Sequence, residues 1–344
     1  MKRLEDHPDP LRRFLPEGEA HPMLRLGCKT LHQIGNANNL HDFFVVKINR
    51  LNYTILIDLT KPCSSLIIHG DKLKIEGRTD MLLAFDVGNT NIVLGVFKDG
   101  NLIQNWRMET DNNKSADEYG MIINQLFNYE GLNTKEIKDV IISTVVPSVL
   151  YTLQHLSMKY FNRRAIVIGP GIKTGLIIKY DNPKQVGADR IVNAVAALAK
   201  YGGPLIIVDF GTATTFCAIT ENAEYLGGTI APGIKIASDA LFEKTAKLPK
   251  VELESPGHVI CKNTIESMQS GLVYGHMGMV DFIIKKMREE LTQHSKSGKI
   301  PKVIATGGLA SLIGSGVDCI DSIDKLLTLE GLQLIYEKNK GHKS

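Results

Sequence analysis

The chain has 344 residues, enough for about two domains, and its 43% hydrophobic and 22% charged residues are typical of a globular protein. A formal net charge of +3 gives no electrostatic reason to expect a nucleic-acid or membrane-surface partner. No apolar run approaches the ~18 residues of a membrane-spanning helix. The five cysteines are scattered without a Cys-x-x-Cys pair, which favours reduced thiols in a cytoplasm over disulfides or a cysteine zinc site.

Residues 1–80 differ from the rest of the chain. Residues 1–42 are rich in Pro, His and charge without sustained periodicity, and three strand-like runs follow at 43–48, 53–59 and 65–69. The segment Ile75-Glu76-Gly77-Arg78 is the recognition sequence of a protease used to remove fusion partners, and it comes shortly before Met81. We therefore expect an N-terminal extension over 1–80, either a small appended unit or a fused leader.

From Met81 the pattern is three strands followed by alternating helices and strands, and this pattern restarts near residue 205. In the first half we predict strands within 83–97 and at 102–107, 140–144 and 165–168, and helices at 115–129, 148–160 and 187–200. In the second half we predict strands at 205–209, 215–219, 225–230, 302–305 and 317–320, and helices at 234–244, 264–294 and 308–314. A repeated pattern of this kind predicts an α/β protein with two similar lobes, 81–203 and 204–344.

The turn that begins at Asp86 is the most informative local feature. An apolar strand runs into Asp86, turns at Gly88-Asn89-Thr90 and leaves as a second apolar strand, so polar groups and backbone N–H groups gather at one turn. Asp86 can hold Mg²⁺ directly or through water, or it can simply cap its own turn. Asp209 begins a second Asp-x-Gly turn 123 residues later. Two such turns predict an ATP cleft between duplicated lobes.

The segment from Gly187 to Arg190 carries a second candidate site. Asp189 lies where a helix is predicted to begin, so its carboxylate can stabilise the helix dipole or accept a proton from an alcohol substrate. Arg190 can hold a carboxylate with two parallel N–H donors or make an ordinary surface ion pair. The histidines show no metal-binding spacing, and the chain has neither a Walker A loop nor a Rossmann fingerprint.

Several motifs occur together in one order along the chain. They are Asp86-Val87-Gly88-Asn89-Thr90-Asn91, Gly187-Ala188-Asp189-Arg190, Asp209-Phe210-Gly211-Thr212-Ala213-Thr214-Thr215, Gly227-Gly228-Thr229-Ile230-Ala231-Pro232-Gly233, and Asn263-Thr264 with Ser270-Gly271. Together they resemble the type III pantothenate kinases of the actin-like ATPase superfamily, from Met81 to about residue 335. The resemblance implies duplicated ribonuclease H-like (actin-like ATPase) lobes with a nucleotide cleft between them, and it does not extend to residues 1–80.

The resemblance also implies roles for individual residues. It implies an ATP site formed by Asp86, Val87, Gly88, Asn89, Thr90, Asn91, Ile92, Val93 and Thr212. It implies a pantothenate site formed by Tyr180, Gly187, Ala188, Asp189, Arg190 and Thr264, with Asp189 as the proton acceptor. Asp209 is implied to bind a monovalent cation, K⁺ or NH₄⁺, beside the Mg²⁺ that accompanies ATP. A homodimer is implied because the family builds its pantothenate pocket partly from the partner subunit.

The function expected from these features is phosphorylation of pantothenate by ATP, the first step toward coenzyme A. The alternative within the same superfamily is a sugar or amino-sugar kinase, which is disfavoured because the chain lacks the cysteine-rich zinc motif of many such kinases. The alternative from another class is a non-catalytic regulator that keeps the fold and binds nucleotide. Retention of all four of Asp86, Asp189, Arg190 and Asp209 argues against a pure binding module.

Overall fold

The computed structural model describes residues 31–33, 43–48, 53–58, 66–69, 81–294 and 298–340. The chain divides into two compact units, Met1–Arg78 and Thr79–Ser344. In the first unit, four antiparallel strands follow chain order in one sheet: β1 (Leu31–Gln33), β2 (Phe43–Ile48), β3 (Tyr53–Asp58) and β4 (Leu66–His69). The three predicted strands are confirmed, and β1 is an additional one. The rest of the predicted leader lies outside the described residues.

The second unit contains two sheets, and the first is built around a central strand that ends beside Asp86. Its members are β5 (Met81–Val87), β6 (Asn91–Lys98), β7 (Asn101–Glu109), β8 (Ile137–Thr144) and β9 (Ile166–Val167). They lie in the order β7-β6-β5-β8-β9. The β5–β6 and β6–β7 pairs are antiparallel, whereas β8 and β9 join in parallel.

The second sheet repeats this arrangement. Its members are β11 (Leu205–Phe210), β12 (Ala213–Ile219), β13 (Glu224–Pro232), β14 (Lys302–Thr306) and β15 (Ser322–Ile323), with β10 (Ile177–Ile178) added at the β13 edge. The order β13-β12-β11-β14-β15 matches that of the first sheet, with the same two antiparallel and two parallel pairings. The expected fold is therefore confirmed: two ribonuclease H-like lobes of one design, as in actin-like ATPases.

Seven helices complete the described part of this unit. They are α1 (Ala116–Tyr129), α2 (Pro147–Phe161), α3 (Ala188–Tyr201), α4 (Ile234–Lys244), α5 (Thr264–His294), α6 (Ala310–Gly314) and α7 (Leu327–Asn339). The predicted capping box is present, with Ser115 and Glu118 each bonding the other's backbone N–H at the start of α1. Among the described residues, no helix combines the length and the apolar character needed to cross a membrane.

Helix α3 lies between the two sheets and packs on both. Val192 and Val195 belong to a core cluster with the first sheet, and Ala194 and Ala197 to a cluster with the second. The small alanine side chains allow the helix to pack closely on two faces. Asp189, in its first turn, is therefore placed at the junction of the lobes.

Helix α7 was not predicted, and it packs on the first sheet although it lies at the end of the second half. Leu329, Leu332 and Ile335 share a core cluster with β5. Gly331 permits the contact with α3, because a Cβ there would overlap the carbonyl oxygen of Val192. The helix begins without a side-chain cap, so the usual start signal is missing from the sequence.

The predicted strand at 317–320 is wrong. These residues form turns, in which the Val317 N–H donates to the Gly314 oxygen and the Ile320 N–H to the Val317 oxygen. Val317 and Cys319 are buried because the turns fold under α6, and their alternation imitates the period of a strand. The actual strand, β15, follows at Ser322–Ile323.

Candidate active site

The Asp86 turn closes tightly at the end of β5. The Gly88 N–H donates to the Asn91 oxygen at 3.0 Å, which leaves Asn89 exposed at the tip of the turn. Thr110 supports the turn from outside, since its hydroxyl donates to the Gly88 oxygen at 2.7 Å. The turn therefore presents several polar groups on a supported backbone, and turns of this kind can bind phosphate.

The Asp209 turn has the corresponding position in the other lobe. Asp86 and Asp209 are both the penultimate residues of their central strands, β5 and β11. A Cβ on Gly307 would lie 2.5 Å from an Asp209 carboxylate oxygen and 2.7 Å from the Phe210 backbone nitrogen, at a φ of +96°. Glycine is needed there, because the turn after β14 passes directly against Asp209.

The two turns contact each other across the lobes. The hydroxyl oxygens of Thr90 and Thr212 lie 3.0 Å apart. A second cross-lobe approach involves Arg107 of β7, whose guanidinium would be 3.1 Å from a Cβ built on Gly308. The two turns, one from each half of the repeat, are thus brought together at one place.

Three half-buried carboxylates gather beside these turns. Burial, together with the charges of Asp189 and Asp209, raises the pKa of Asp86 to about 8 against the opposing effect of Arg107. Burial and the charge of Asp189 raise the pKa of Asp209 to about 7. Burial also raises the pKa of Asp189. Carboxylates kept close together in this way require a counter-charge, and their hard oxygen donors suit Mg²⁺ or K⁺.

The start of α3 shapes the Asp189 side chain. Gly187 is the N-cap residue, and a Cβ there would overlap the Asp189 carboxylate. Oδ1 of Asp189 accepts the Arg190 N–H at 2.8 Å. The Gly-Ala-Asp-Arg sequence thus holds one carboxylate oxygen of Asp189 against the backbone at the helix N-terminus.

Arg190 is buried and only partly paired. Its Nε donates to Sγ of Cys217 at 3.3 Å, and its guanidinium carbon lies 5.8 Å from the Tyr225 ring centre. The Tyr225 hydroxyl donates to the same Sγ at 3.3 Å. Nη2 of Arg190 is buried with no hydrogen-bond partner among the described residues. A buried guanidinium with a free donor is suited to bind an anionic group.

The other predicted pantothenate residues are arranged differently. Tyr180 packs against the same cluster as Tyr225, and a Cβ on Gly227 would lie 3.6 Å from its ring. Thr264 is the first residue of α5, as predicted, but its side chain is exposed and makes no hydrogen bond in the described part of the chain. The structure therefore places Tyr180 near the start of α3, where Gly187, Ala188, Asp189 and Arg190 lie. In the described part of the chain, no hydrogen bond joins Thr264 to these residues.

The residues predicted to bind ATP fall into two groups. Val87 and Ile92 have side chains in the first-lobe core, so they can offer only backbone groups to a nucleotide. The remaining residues have side chains or backbone at least partly exposed around the two turns: Asp86, Gly88, Asn89, Thr90, Asn91, Val93 and Thr212.

Sequence reasoning missed two side chains of the site. Asn193 donates from Nδ2 to Asp209 at 3.0 Å, and its Oδ1 accepts from Thr328 of α7 at 2.7 Å. A signal was present, since Asn193 follows Asp189 by four residues and so lies on the same helix face. Arg107 had no such signal, because a cross-lobe contact leaves no pattern in a single strand.

The topology of the two sheets defines the class of the protein by its fold, a two-lobed actin-like protein. A comparison with protein families is more specific. The model described as "Type III pantothenate kinase" matches residues 82–286, more than half of the chain. The chain belongs to the type III pantothenate kinase family, and it is a kinase that transfers a phosphoryl group.

Comparison with solved structures finds several distant likenesses. The ethanolamine utilization protein EutJ from Carboxydothermus hydrogenoformans is 18% identical, with a TM-score of 0.41 over 74% of this chain and 89% of that one. MreB 5 of Spiroplasma citri bound to AMPPNP is 11% identical, with a TM-score of 0.44 over 76% and 97%. The ROK hexokinase from Thermus thermophilus is 13% identical, with a TM-score of 0.41 over 76% and 100%.

Proposed function

We propose that the protein phosphorylates pantothenate with ATP to give 4′-phosphopantothenate, with Asp189 as the proton acceptor. The observation that carries this proposal is the adjacency of Asp189 and Arg190 at the start of α3. Asp189 presents a carboxyl group with a raised pKa, and Arg190 presents a buried guanidinium with one nitrogen that has no partner in the described part of the chain. Pantothenate has a primary alcohol and a carboxylate, the two groups that this pair can bind.

In the proposed reaction, each of these residues has a separate role. Arg190 holds the pantothenate carboxylate, and Asp189 orients the primary hydroxyl and takes its proton as the oxygen attacks the γ-phosphorus in line. Thr90, Thr212 and the backbone of the two turns hold the ATP phosphates. Mg²⁺, when bound, would supply positive charge at the β- and γ-phosphates, and Asp86 is the residue that would hold it. Asp209 would bind K⁺ or NH₄⁺.

The wider assignments are part of the same proposal. Residues 1–80 form an extension, and 81–203 and 204–344 form the lobes. The protein works in the cytoplasm, which agrees with the free thiols of Cys217, Cys261 and Cys319. It forms a homodimer, which is supported by exposed apolar side chains along β13, α4 and the start of α5: Ile230, Ile236, Phe242 and Ile265.

A coupled assay of ADP release tests the proposed substrate. Pantothenate, glucose and N-acetylglucosamine are compared, each with Mg²⁺ and with either K⁺ or Na⁺. Release that depends on pantothenate and is stimulated by K⁺ is expected. Release with a sugar alone would instead support the sugar-kinase alternative, and nucleotide binding with no turnover on any substrate would support the regulator.

Asp189→Asn tests the proposed proton acceptor. The amide keeps the shape of the side chain but cannot accept the proton, so kcat should fall about a hundredfold or more. ATP affinity, measured by calorimetry, should change little, because the ATP-binding turns are untouched. Asp181→Asn, an exposed acid in the preceding loop, is the matched control and should keep normal turnover. Near-normal kcat in Asp189→Asn would show that another group takes the proton.

A further inference from the structure

Three side chains of metal-binding type lie together outside the carboxylate site. His258 and Cys261 are in the loop before α5, and Glu266 is in the first turn of that helix. The ligand atoms of the three side chains all lie within 4.8 Å of one another. Nε2 of His258 is 3.8 Å from Oε2 of Glu266. Imidazole, thiolate and carboxylate are the three side-chain groups that bind Zn²⁺ in proteins.

The loop that carries these ligands is anchored to α5. Oγ of the buried Ser270 donates to the Val259 oxygen at 2.9 Å, between the two loop ligands. Oδ1 of Asn263 accepts the Glu266 N–H at 2.9 Å and so caps the helix beside the third ligand. The main chain is therefore held at both ends of the cluster, and only the ligand side chains need to move.

The distances suit a metal ion after small adjustments. Tetrahedral zinc with bonds of about 2.0 to 2.3 Å places its ligand atoms roughly 3.3 to 3.8 Å apart. The His258–Glu266 separation already reaches the upper end of this range, and the wider separations close by about 1 Å. The His258 and Glu266 side chains are 57% and 41% exposed, so they are free to rotate by that amount.

We propose that His258, Cys261 and Glu266 bind one Zn²⁺ ion, with the fourth coordination position open to water. Binding replaces the proton of the Cys261 thiol, which passes to solvent, because the thiolate is the ligand. This site was not predicted from the sequence, because the spacing of positions 258, 261 and 266 matches no common zinc motif.

The bound ion would cross-link the loop to the first helical turn. Asn263 and Thr264 lie between the second and third ligands, so their backbone would be fixed on both sides. The zinc site does not depend on the kinase role proposed for Thr264. It would remain if the chain phosphorylated a different substrate.

Cobalt substitution of the full-length chain tests the proposal. Protein cleared of metal with a chelator is titrated with Co²⁺, and the near-ultraviolet charge-transfer band reports a thiolate–cobalt bond. Wild type should show this band, and Cys261→Ser should lack it. His258→Ala and Glu266→Gln should keep the band but bind Zn²⁺ about tenfold or more weakly, measured by competition with a chromogenic chelator.

Two controls separate this site from other ligands in the chain. Cys28→Ser/Cys63→Ser removes the two cysteines of residues 1–80 and should retain the band, while His155→Ala removes an exposed histidine of α2 and should retain full affinity. Zn²⁺ should raise the Tm of wild type but not of Cys261→Ser, although both should have the same Tm in chelator. The proposal is overturned if wild type shows no band, if Cys261→Ser keeps it, or if His258→Ala and Glu266→Gln bind Zn²⁺ normally.

Discussion

At the scale of single residues, three carboxyl groups dominate the site, and their burial opposes their ionisation. Asp86, Asp189 and Asp209 come from three different elements, and each has a raised pKa. Arg107 opposes the shift at Asp86, and Asn193 opposes that at Asp209. Such a cluster lowers the stability of the metal-free protein, and binding of cations and substrate restores it.

Replacing Asp86 should stabilise the metal-free protein and inactivate it. The pKa of Asp86 is higher in the folded protein than in the unfolded chain, so its protonated form is favoured by folding. Its contribution to stability is therefore present below the unfolded pKa and is lost as the pH rises to about 8. In chelator, Asp86→Asn should exceed wild type in free energy of unfolding by about 1 kcal/mol or more at alkaline pH, since one pKa unit is worth about 1.4 kcal/mol.

Urea denaturation from about pH 5 to about pH 9 measures this effect, and the gap between variant and wild type should widen as pH rises. Asp181→Asn should show no such gap. A gap that stays constant across the range would mean that Asp86 does not titrate as described.

Cys217 should affect the binding of pantothenate by positioning the Arg190 guanidinium. Its Sγ accepts from both Arg190 and Tyr225, so Cys217→Ala removes the group that orients the guanidinium. We expect the KM for pantothenate to rise about tenfold, a change worth about 1.4 kcal/mol, with the KM for ATP unchanged. Cys217→Ser should retain more of the affinity. Cys319→Ala, another buried thiol of the same lobe, is the control, and an equal effect there would rule out a specific role.

At the scale of elements, α7 is the feature that joins the lobes. The segment before it is held by Asp324, whose Oδ2 accepts from Lys200 and from the Tyr201 hydroxyl, each at 2.8 Å. Its Oδ1 accepts the Leu326 N–H at 3.1 Å. The end of α3 and the start of α7 are thus fastened by one buried carboxylate, which keeps both helices between the sheets.

Replacing Asp324 should make the protein less stable at neutral pH. Burial acts to raise the pKa of Asp324, but the bonds from Lys200 and Tyr201 outweigh it and hold the pKa below its usual value. Its stability contribution is therefore present above the unfolded pKa near 4 and lost as pH falls through the lower folded pKa. Asp324→Asn should lower the free energy of unfolding by about 1 to 3 kcal/mol at neutral pH.

The difference from wild type should shrink as the pH falls below about 4, as measured by thermal or urea unfolding. The exposed Asp318→Asn serves as control and should match wild type throughout. If the difference in free energy of unfolding stayed the same in acid, the effect would come from the altered shape of the side chain rather than from the loss of its charge.

At the scale of the whole molecule, we predict that a second copy of the chain supplies one wall of the pantothenate pocket, at the surface near Thr264. Thr264 is exposed without a hydrogen bond in the described chain, and its neighbours Ile260 and Ile265 are 88% and 51% exposed. Light scattering should therefore give about twice the 37.9 kDa chain mass, with activity lost on dilution to monomer. A fully active monomer would contradict the shared pocket.

Much of the fold was predictable because both lobes use strong local signals. The strand pairs at Asp86 and Asp209 are predicted by apolar runs interrupted by glycine. The start of α1 is predicted by its capping box. Helix α7 lacked such a signal, because its start has no side-chain cap. The turns at 317–320 were predicted to be a strand because their burial under α6 produces the alternation of buried and exposed residues that is typical of a strand.

By itself, the sequence determined which residue types were available and that the Asp-x-Gly turn occurred twice, because strand and turn propensities are local. Only the tertiary structure decided that Thr90 meets Thr212 and that Asp189 and Asp209 raise the pKa of Asp86. It also decided that Nη2 of Arg190 is buried without a partner among the described residues. The same is true of the His258, Cys261 and Glu266 cluster. These properties depend on distances between segments far apart in the chain, and on the burial that packing two lobes together creates.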